Sequence, residues 1–141
     1  MLGRHRDRFL AQIDRRRLED AIRSAESETA APIRVAVLPR VRGSLAKVAE
    51  LTAHRLGMTT LPGRNGVVIV VVPSRREFHV WGDRAIHEKV GEPFWKEVAE
   101  KISAKFRKGD FTGGLEAGIQ EAARELTANF PKTPAPPPTR P

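Results

Sequence analysis

The amino-acid sequence of 141 residues predicts an α/β fold, a three-layer α/β/α sandwich with a small mixed sheet of three or four strands. Two observations predict this fold class. Segments whose apolar residues recur at helical spacing alternate with short strand-like segments, in the order α-β-α-β-β-α-α. In addition, residues 67–72 (VVIVVV) are apolar at every position, which is typical of a central strand that helices cover on both faces.

The first half of the chain contains two predicted helices and one predicted strand. Asp14 is expected to cap the first helix, which Pro32 ends, and the residues that follow, IRVAVLP, alternate as a strand. Ser44 is expected to cap the second helix, and Gly57 is a natural C-terminal glycine. The positions predicted to face the core are Leu18, Ala21, Ile22 and Ala25 in the first helix, and Leu45, Val48, Ala49, Thr52 and Leu56 in the second.

The second half predicts a hairpin followed by two helices. Only PSRR separates the central strand from EFHVWG at residues 77–82, so the two strands must pair as an antiparallel hairpin. Pro93 is expected to open the third helix and Gly109 to end it, while Asp110 or Thr112 caps the fourth. Residues 58–63 (MTTLPG) and 85–90 (AIHEKV) are the candidates for a fourth short strand. The core positions are Trp95, Val98, Ile102 and Phe106 in the third helix, and Leu115, Ile119, Ala122 and Leu126 in the fourth.

The domain organisation follows from composition. We predict a basic N-terminal segment at residues 1–13, one domain at 14–131, and a proline-rich, disordered tail at 132–141. The chain has no apolar run of about 18 residues, and its start lacks the apolar core of a signal peptide. We therefore expect a soluble, cytoplasmic protein without a membrane span. The absence of cysteine excludes disulfides, thiolate nucleophiles and zinc sites built from cysteine.

The chain is strongly basic, with a net charge of +8 from 25 basic and 17 acidic residues. Much of the excess lies in short clusters at residues 4–8, 15–17, 39–43 and 74–76. Such a surface attracts anions. We favour a solvated basic face and do not expect nucleic acid as the partner, because the aromatic content is only 6% and no nucleic-acid motif accompanies the charge.

Three segments, taken together and in order, resemble the TPM domain family and most closely its bacterial branch. They are HRLGMTTLPGRNGVVIVVV at residues 54–72, WGDRAIHEKVGEPFW at 81–95 and FRKGDFTGGLEAGIQEAARELTANFP at 106–131. The resemblance covers about residues 14–131 and implies a mixed sheet sandwiched by helices. The family includes thylakoid-lumen proteins of photosystem II repair and a modulator of acetylcholine receptors, and its members are often exported or membrane-anchored. Some members are described as calcium-binding or as weak acid phosphatases.

The Gly82–Asp83 corner is the first candidate site. The hairpin places this corner beside residues 64–66, so several polar side chains gather at one end of the sheet. Asp83, Glu88 and Glu92 offer the oxygens that Ca²⁺ or Mg²⁺ prefers, and the residues expected to orient the loop are Arg64, Asn65 and His87. The alternative, which we favour, is a structural turn in which Asp83 bonds to nearby backbone and Glu92 stabilises a helix start.

The opposite end of the sheet is the second candidate site. If the second helix is a right-handed crossover, the first two strands are parallel and their carboxyl ends meet. The residues there that would bind a phosphate, sulfate or acidic peptide at the helix N-terminus are Arg40, Arg42, Ser44, Arg75 and Arg76. The alternative is that these are ordinary arginines of exposed loops.

The motifs leave three functions open. The sequence contains no nucleophile elbow, no phosphate-binding loop and no clear nucleophile backed by a base, so we name no catalytic residue. We favour a non-catalytic interaction module that binds an unidentified protein, with or without a structural divalent cation. The first alternative rests mainly on the resemblance to the TPM family: a weak metal-dependent phosphomonoesterase, in which Asp83 and Glu88 are ligands and Arg64 clamps the phosphate. The second is a basic binder of polyanions.

Overall fold

A computed structural model describes residues 13–132 and confirms the predicted fold class and element order. The helices are α1 (Arg15–Glu26), α2 (Leu45–Arg55), α3 (Arg84–Phe106) and α4 (Phe111–Asn129), and the strands are β1 (Ile33–Val37), β2 (Val67–Val72) and β3 (Glu77–Gly82). A 3₁₀ turn at Pro73–Arg75 joins β2 to β3. The predicted basic N-terminal segment and proline-rich tail fall, apart from Ile13 and Lys132, outside the residues that the structure describes.

The sheet has the order β1-β2-β3 and is mixed, as predicted. Strand β1 pairs with β2 in parallel, from Ile33 opposite Val67 to Val37 opposite Val71. Strand β3 pairs with β2 in the antiparallel direction, from Gly82 opposite Val67 to Glu77 opposite Val72. All six residues of β2 are buried, because this strand has a neighbour on each side and helices on both faces.

The alternation of side chains along β2 separates two hydrophobic clusters. Val67, Ile69 and Val71 face the larger cluster, to which α1, α3 and α4 contribute. Val68, Val70 and Val72 face the smaller cluster under α2. The two clusters are the two interfaces of the three-layer sandwich.

Helix α3 differs from the prediction at its start. It begins at Arg84 rather than at Pro93, because the Asp83 side chain caps it by accepting a hydrogen bond from the Arg84 N–H. The left-handed backbone of Gly91 (φ 64°) then divides α3, and Pro93 lies at the start of the second segment. Among residues 13–132 the sheet has three strands, the lower of the two predicted numbers, since residues 85–90 are helical and 58–63 lie in turns.

Helix α4 lies close to α3 at two of its glycines. Asp110 caps α4 and accepts a hydrogen bond from the Gly113 N–H at 2.9 Å. Gly114 lies against the Phe106 ring and Gly118 against the Ile102 side chain. None of the helices between residues 13 and 132 is long and apolar enough to cross a membrane.

Candidate functional site

The Gly82–Asp83 corner lies beside Arg64, Asn65 and Gly66, as the hairpin predicted. The Asp83 N–H donates to the Gly66 carbonyl and the Ala85 N–H donates to the Arg64 carbonyl, both at 3.0 Å. These two bonds continue the antiparallel ladder beyond the last strand pair, Val67 and Gly82. The first turn of α3 is therefore fixed to the loop that precedes β2.

An ion pair between Arg64 and Asp83 forms the centre of this corner. Arg64 Nε donates to Asp83 Oδ2 at 2.7 Å and Arg64 Nη2 donates to Asp83 Oδ1 at 2.9 Å. The Arg84 N–H also donates to Oδ1, at 2.8 Å. The Asp83 side chain is only 7% exposed and that of Arg64 is 43% exposed, so the carboxylate is enclosed while part of the guanidinium faces solvent.

The surroundings of Asp83 favour its ionised form. Burial alone raises the pKa of a carboxyl, but the hydrogen bonds from Arg64 and from the Arg84 N–H outweigh it and hold the pKa of Asp83 below its ordinary value. The hydrogen bond to Asp83 in turn raises the pKa of Arg64.

Arg64 adopts a left-handed backbone conformation (φ 50°), which is uncommon for a residue other than glycine.

The other predicted residues of the corner have separate environments. His87 is exposed and its ring lies on that of Trp95, with 4.9 Å between ring centroids. Asn65 makes one weak contact, from Nδ2 to the Ala30 carbonyl at 3.5 Å. Glu88 and Glu92 are exposed. In the part of the chain that the structure describes, the carboxylates of Asp83, Glu88 and Glu92 do not form a group with oxygens within 4.8 Å of one another.

A different group of carboxylates lies within that distance, and it was not among the sites predicted from the sequence. Oxygens of Glu97, Glu121 and Glu125 lie within 4.8 Å of one another. Arg124 Nη2 pairs with all three: closely with Glu121, at 3.4 Å with Glu125 and at 3.6 Å with Glu97. The hydrogen bond that Arg124 donates to Glu121 raises the pKa of Arg124. The spacing of Glu121 and Glu125 on one helix face was visible in the sequence, but the approach of Glu97 from α3 was not.

The arginine end of the sheet brings the two predicted loops together. Ser74 Oγ donates to the Pro39 carbonyl at 3.0 Å, and Arg75 Nη1 donates to the Gly43 carbonyl at 3.0 Å. Arg75 Nε also binds Glu77 Oε1, at 2.5 Å. Ser44 caps α2 by accepting from the Lys47 N–H at 3.4 Å.

The remaining arginines of this end are free to meet solvent. Arg40, Arg42 and Arg76 are all exposed. Across residues 13–132, the ion pairs involve none of these three guanidinium groups. Of the predicted anion-binding residues, Arg75 thus bonds to the other loop and to β3, Ser44 bonds to the first turn of α2, and the other three form no ion pair within residues 13–132.

Comparisons with known proteins give the chain its family. The sequence model of the TPM domain matches residues 5–125. The solution structure of the BA42 protein from Bizionia argentinensis is 31% identical, with a TM-score of 0.79, and the match covers 84% of each chain. No curated protein matches the chain.

Two further solved structures share the fold at lower identity. The N-terminal domain of a P. gingivalis protein is 18% identical with a TM-score of 0.66, and the match covers 79% of this chain and 72% of that one. The N-terminal domain of a Corynebacterium glutamicum protein is 12% identical with a TM-score of 0.64, covering 88% and 78%. The family match over most of the sequence, together with the similarity to BA42, shows that the chain belongs to the TPM domain family.

Proposed function

We propose that this TPM domain is a non-catalytic protein-interaction module. The pairing of Asp83 carries the proposal. Both oxygens of this carboxylate accept hydrogen bonds from Arg64, and one accepts a further bond from the Arg84 N–H. Hydrolysis at the corner requires a nucleophile activated by a base or by a metal ion, and a carboxylate engaged in this way supplies neither.

The second buried carboxylate among residues 13–132 supports the same conclusion. Glu121 is buried and pairs with Arg124, which also approaches Glu97 and Glu125. One guanidinium beside three carboxylates offsets part of the negative charge that would attract a divalent cation. Ion pairing with Arg124 is thus the interaction observed for this acidic group.

The arginine end is the surface that we assign to the partner. Arg40, Arg42 and Arg76 are exposed, and the bond from Arg75 to the Gly43 carbonyl holds the two loops side by side. A basic surface of this kind favours an acidic or phosphate-bearing region of a partner protein. We expect that charge reversal at Arg40 and Arg42 weakens partner binding and that salt reduces this binding only modestly, because a specific interface also includes contacts that salt does not screen.

The decisive experiment is a calorimetric titration of metal-free protein with Ca²⁺ and with Mg²⁺, alongside an assay of p-nitrophenyl phosphate hydrolysis. Three proteins are compared: wild type, Asp83→Asn and the control Asp20→Asn. Asp20 is an exposed carboxylate that pairs with Arg23, so the control removes an ion pair elsewhere. We expect no binding heat and no turnover in any of them. Metal-dependent turnover in wild type and control that disappears in Asp83→Asn contradicts the proposal, whereas saturable heat without turnover would add a structural cation to the module.

A weak metal-dependent phosphomonoesterase is the second candidate function. The exposed part of the Arg64 guanidinium favours it, because a phosphate can approach that group. The family model that matches is also named for a phosphatase. In this function Asp83 and Glu88 bind Ca²⁺ or Mg²⁺ once Asp83 leaves Arg64, and Arg64 clamps the phosphate. Asn65 and His87 orient the loop. It requires metal-dependent turnover that Asp83→Asn abolishes and Arg64→Gln reduces.

A binder of polyanions is the third candidate, and it uses the same arginines as the proposed partner surface. Salt dependence separates the two. For a non-specific polyanion binder, the logarithm of the binding constant falls steeply and linearly with the logarithm of salt concentration, and any polyanion is tolerated. Binding of heparin that rivals the binding of every acidic protein tested favours this candidate over the interaction module.

A further inference from the structure

The outer edge of β1 has an alternating pattern of backbone groups. Strand β1 is one edge of the sheet. The Val67 N–H donates to the Pro32 carbonyl and the Leu38 N–H donates to the Val71 carbonyl, both at 2.9 Å. In a parallel pair, alternate residues direct both of their backbone groups to the same side. Ile33, Val35 and Val37 therefore direct theirs away from β2.

Side chains occupy the first of these outward positions. Glu26 Oε2 accepts from the Ile33 N–H at 2.9 Å and from Arg34 Nη1 at 2.7 Å. Arg34 Nη1 also donates to the Ile33 carbonyl, at 2.8 Å. The carboxylate thus takes the place of a neighbouring strand's carbonyl, and the guanidinium takes the place of its N–H. We call the Glu26–Arg34 pair the edge clasp.

The next two outward positions have no such cover. Between residues 13 and 132, no hydrogen bond reaches the outward backbone groups of Val35 or Val37. Unpaired backbone groups on an edge strand are a template on which another strand can form. The edge clasp itself is well exposed, with side-chain exposures of 48% for Arg34 and 32% for Glu26. Exposed pairs of this kind stabilise a fold little, so the main effect of the clasp is to occupy the edge.

We propose that the outer edge of β1 fits the β1 strand of a second copy of this chain, and that the edge clasp keeps the two apart. Antiparallel pairing centred on Val35 places Ile33 opposite Val37 and Arg34 opposite Ala36, so no like charges face each other directly. In this pairing Ile33 needs the backbone groups that the clasp occupies. The proposal concerns a surface separate from the proposed partner surface and goes beyond that function.

A second copy is the occupant that the edge fits best. Its strand has the same length and apolar character, and it is always present at the concentration of the protein itself. Natural sheets close their edges with charged side chains against this kind of pairing. The edge clasp does so at the one outward residue that lies next to a helix end, Ile33 after α1.

The test is the oligomeric state of clasp variants across a concentration series, by light scattering and by sedimentation. Glu26→Ala and Arg34→Gln each remove one half of the clasp, and Asp20→Ala is the control because it removes an exposed ion pair of the same helix. We expect the mass of one chain for wild type and control, and the mass of two chains for the clasp variants as concentration rises. Hydrogen exchange at the Val35 and Val37 amides should slow by at least about tenfold in those dimers.

A third substitution identifies the edge itself. The Val35 N–H points away from β2, so Val35→Pro removes no hydrogen bond from the sheet but removes a donor that an added strand needs. Added to either clasp variant, it should restore the mass of one chain. The proposal is overturned if dimers persist after Val35→Pro is added or if the clasp variants keep the mass of one chain. It is also overturned if the wild type is already dimeric. Because Arg34→Gln leaves the Glu26–Ile33 bond in place, it keeps the test open if Glu26→Ala does not fold.

Discussion

Asp83 joins three parts of the fold through one carboxylate. It follows β3, caps α3 and pairs with Arg64 in the loop before β2. A buried carboxylate is stable only when its charge is compensated, and here the guanidinium and a backbone N–H provide that compensation. The corner is thus held together by the interactions that also occupy the oxygens of Asp83.

The low pKa of Asp83 predicts how acid affects stability. Its pKa in the folded protein is below the unfolded value of about 3.9, so its contribution is complete above that value and is lost as the pH falls through the folded pKa. We expect Asp83→Asn to lower the free energy of unfolding by about 2 kcal/mol at pH 7. Urea unfolding between neutral pH and about pH 3 should show this difference shrinking below about pH 4. A difference that does not change with pH contradicts an ionised Asp83.

Arg64 and Arg76 give a matched pair of substitutions. Both have a left-handed backbone, with φ of 50° and 53°, which asparagine tolerates better than arginine. Arg76 is exposed, so Arg76→Asn should relieve strain and stabilise the protein by about 0.5–1 kcal/mol. Arg64→Asn relieves the same strain but removes the pair with Asp83, so we expect it to destabilise. If the urea midpoint of Arg64→Asn rises as that of Arg76→Asn does, the ion pair between Arg64 and Asp83 does not contribute to stability.

The sequence predicted the neighbours at this corner but not their bonds. A four-residue connection implies a hairpin, and the register of a hairpin brings residues 82–83 beside 64–66. Whether Arg64 then reaches Asp83 depends on its left-handed backbone and on side-chain rotamers, which no periodicity encodes. A carboxylate after a Gly therefore looks the same in the sequence whether it caps a helix, binds a cation or pairs with an arginine.

Helix α3 is the element whose start was predicted only in part from the sequence. Pro93 marks a real helix start, because the second segment of α3 begins there after the break at Gly91. The segment before Gly91 was not predicted as a helix, because the face that it turns to the core contributes only two apolar side chains, Ile86 and Val90. Two apolar residues are too few to distinguish a helix from a strand or a loop. The cap by Asp83 is what starts the helix here.

The contact of α4 with α3 predicts that a helix-favouring substitution will destabilise. Alanine is better than glycine in a helix by about 1 kcal/mol. A Cβ at Gly114, however, would lie 2.6 Å from a Phe106 ring carbon and 3.0 Å from the Ile102 carbonyl oxygen. We expect Gly114→Ala to lower the free energy of unfolding by about 1–2 kcal/mol, measured by urea titration.

An exposed position on α4 provides the control for that prediction. Gln120 lies on the same helix and is exposed. Gln120→Ala should be more stable than Gln120→Gly by about 1 kcal/mol, because only helix propensity changes there. If Gly114→Ala instead gains stability as the control pair does, then α3 and α4 are not in close contact at this glycine.

For the whole molecule, the layers were predictable and the ionic pairs were not. A continuously apolar β2 between strands of mixed burial requires helices on both faces, and this alone selects a three-layer sandwich. The sequence also shows a net charge of +8. It does not show that Arg17 of α1 pairs with Glu116 of α4, because the two residues are far apart in the chain. Such pairs depend on the packing of complete elements.

The segment between α1 and β1 contacts the residues that follow α4, and this contact gives a prediction for the domain as a whole. The buried Thr29 hydroxyl donates to the Phe130 carbonyl at 2.6 Å and accepts from the Ala31 N–H at 3.2 Å. Thr29→Val keeps the shape but removes both bonds, so we expect it to lower the free energy of unfolding by about 2 kcal/mol in urea titrations. Thr29→Ser keeps the hydroxyl and should cost less, about 1 kcal/mol for the lost methyl group. Because the Ala30 N–H also donates to the Phe130 carbonyl, its hydrogen exchange should quicken in Thr29→Val alone. Equal effects of the two variants would show that the hydroxyl does not join these two segments.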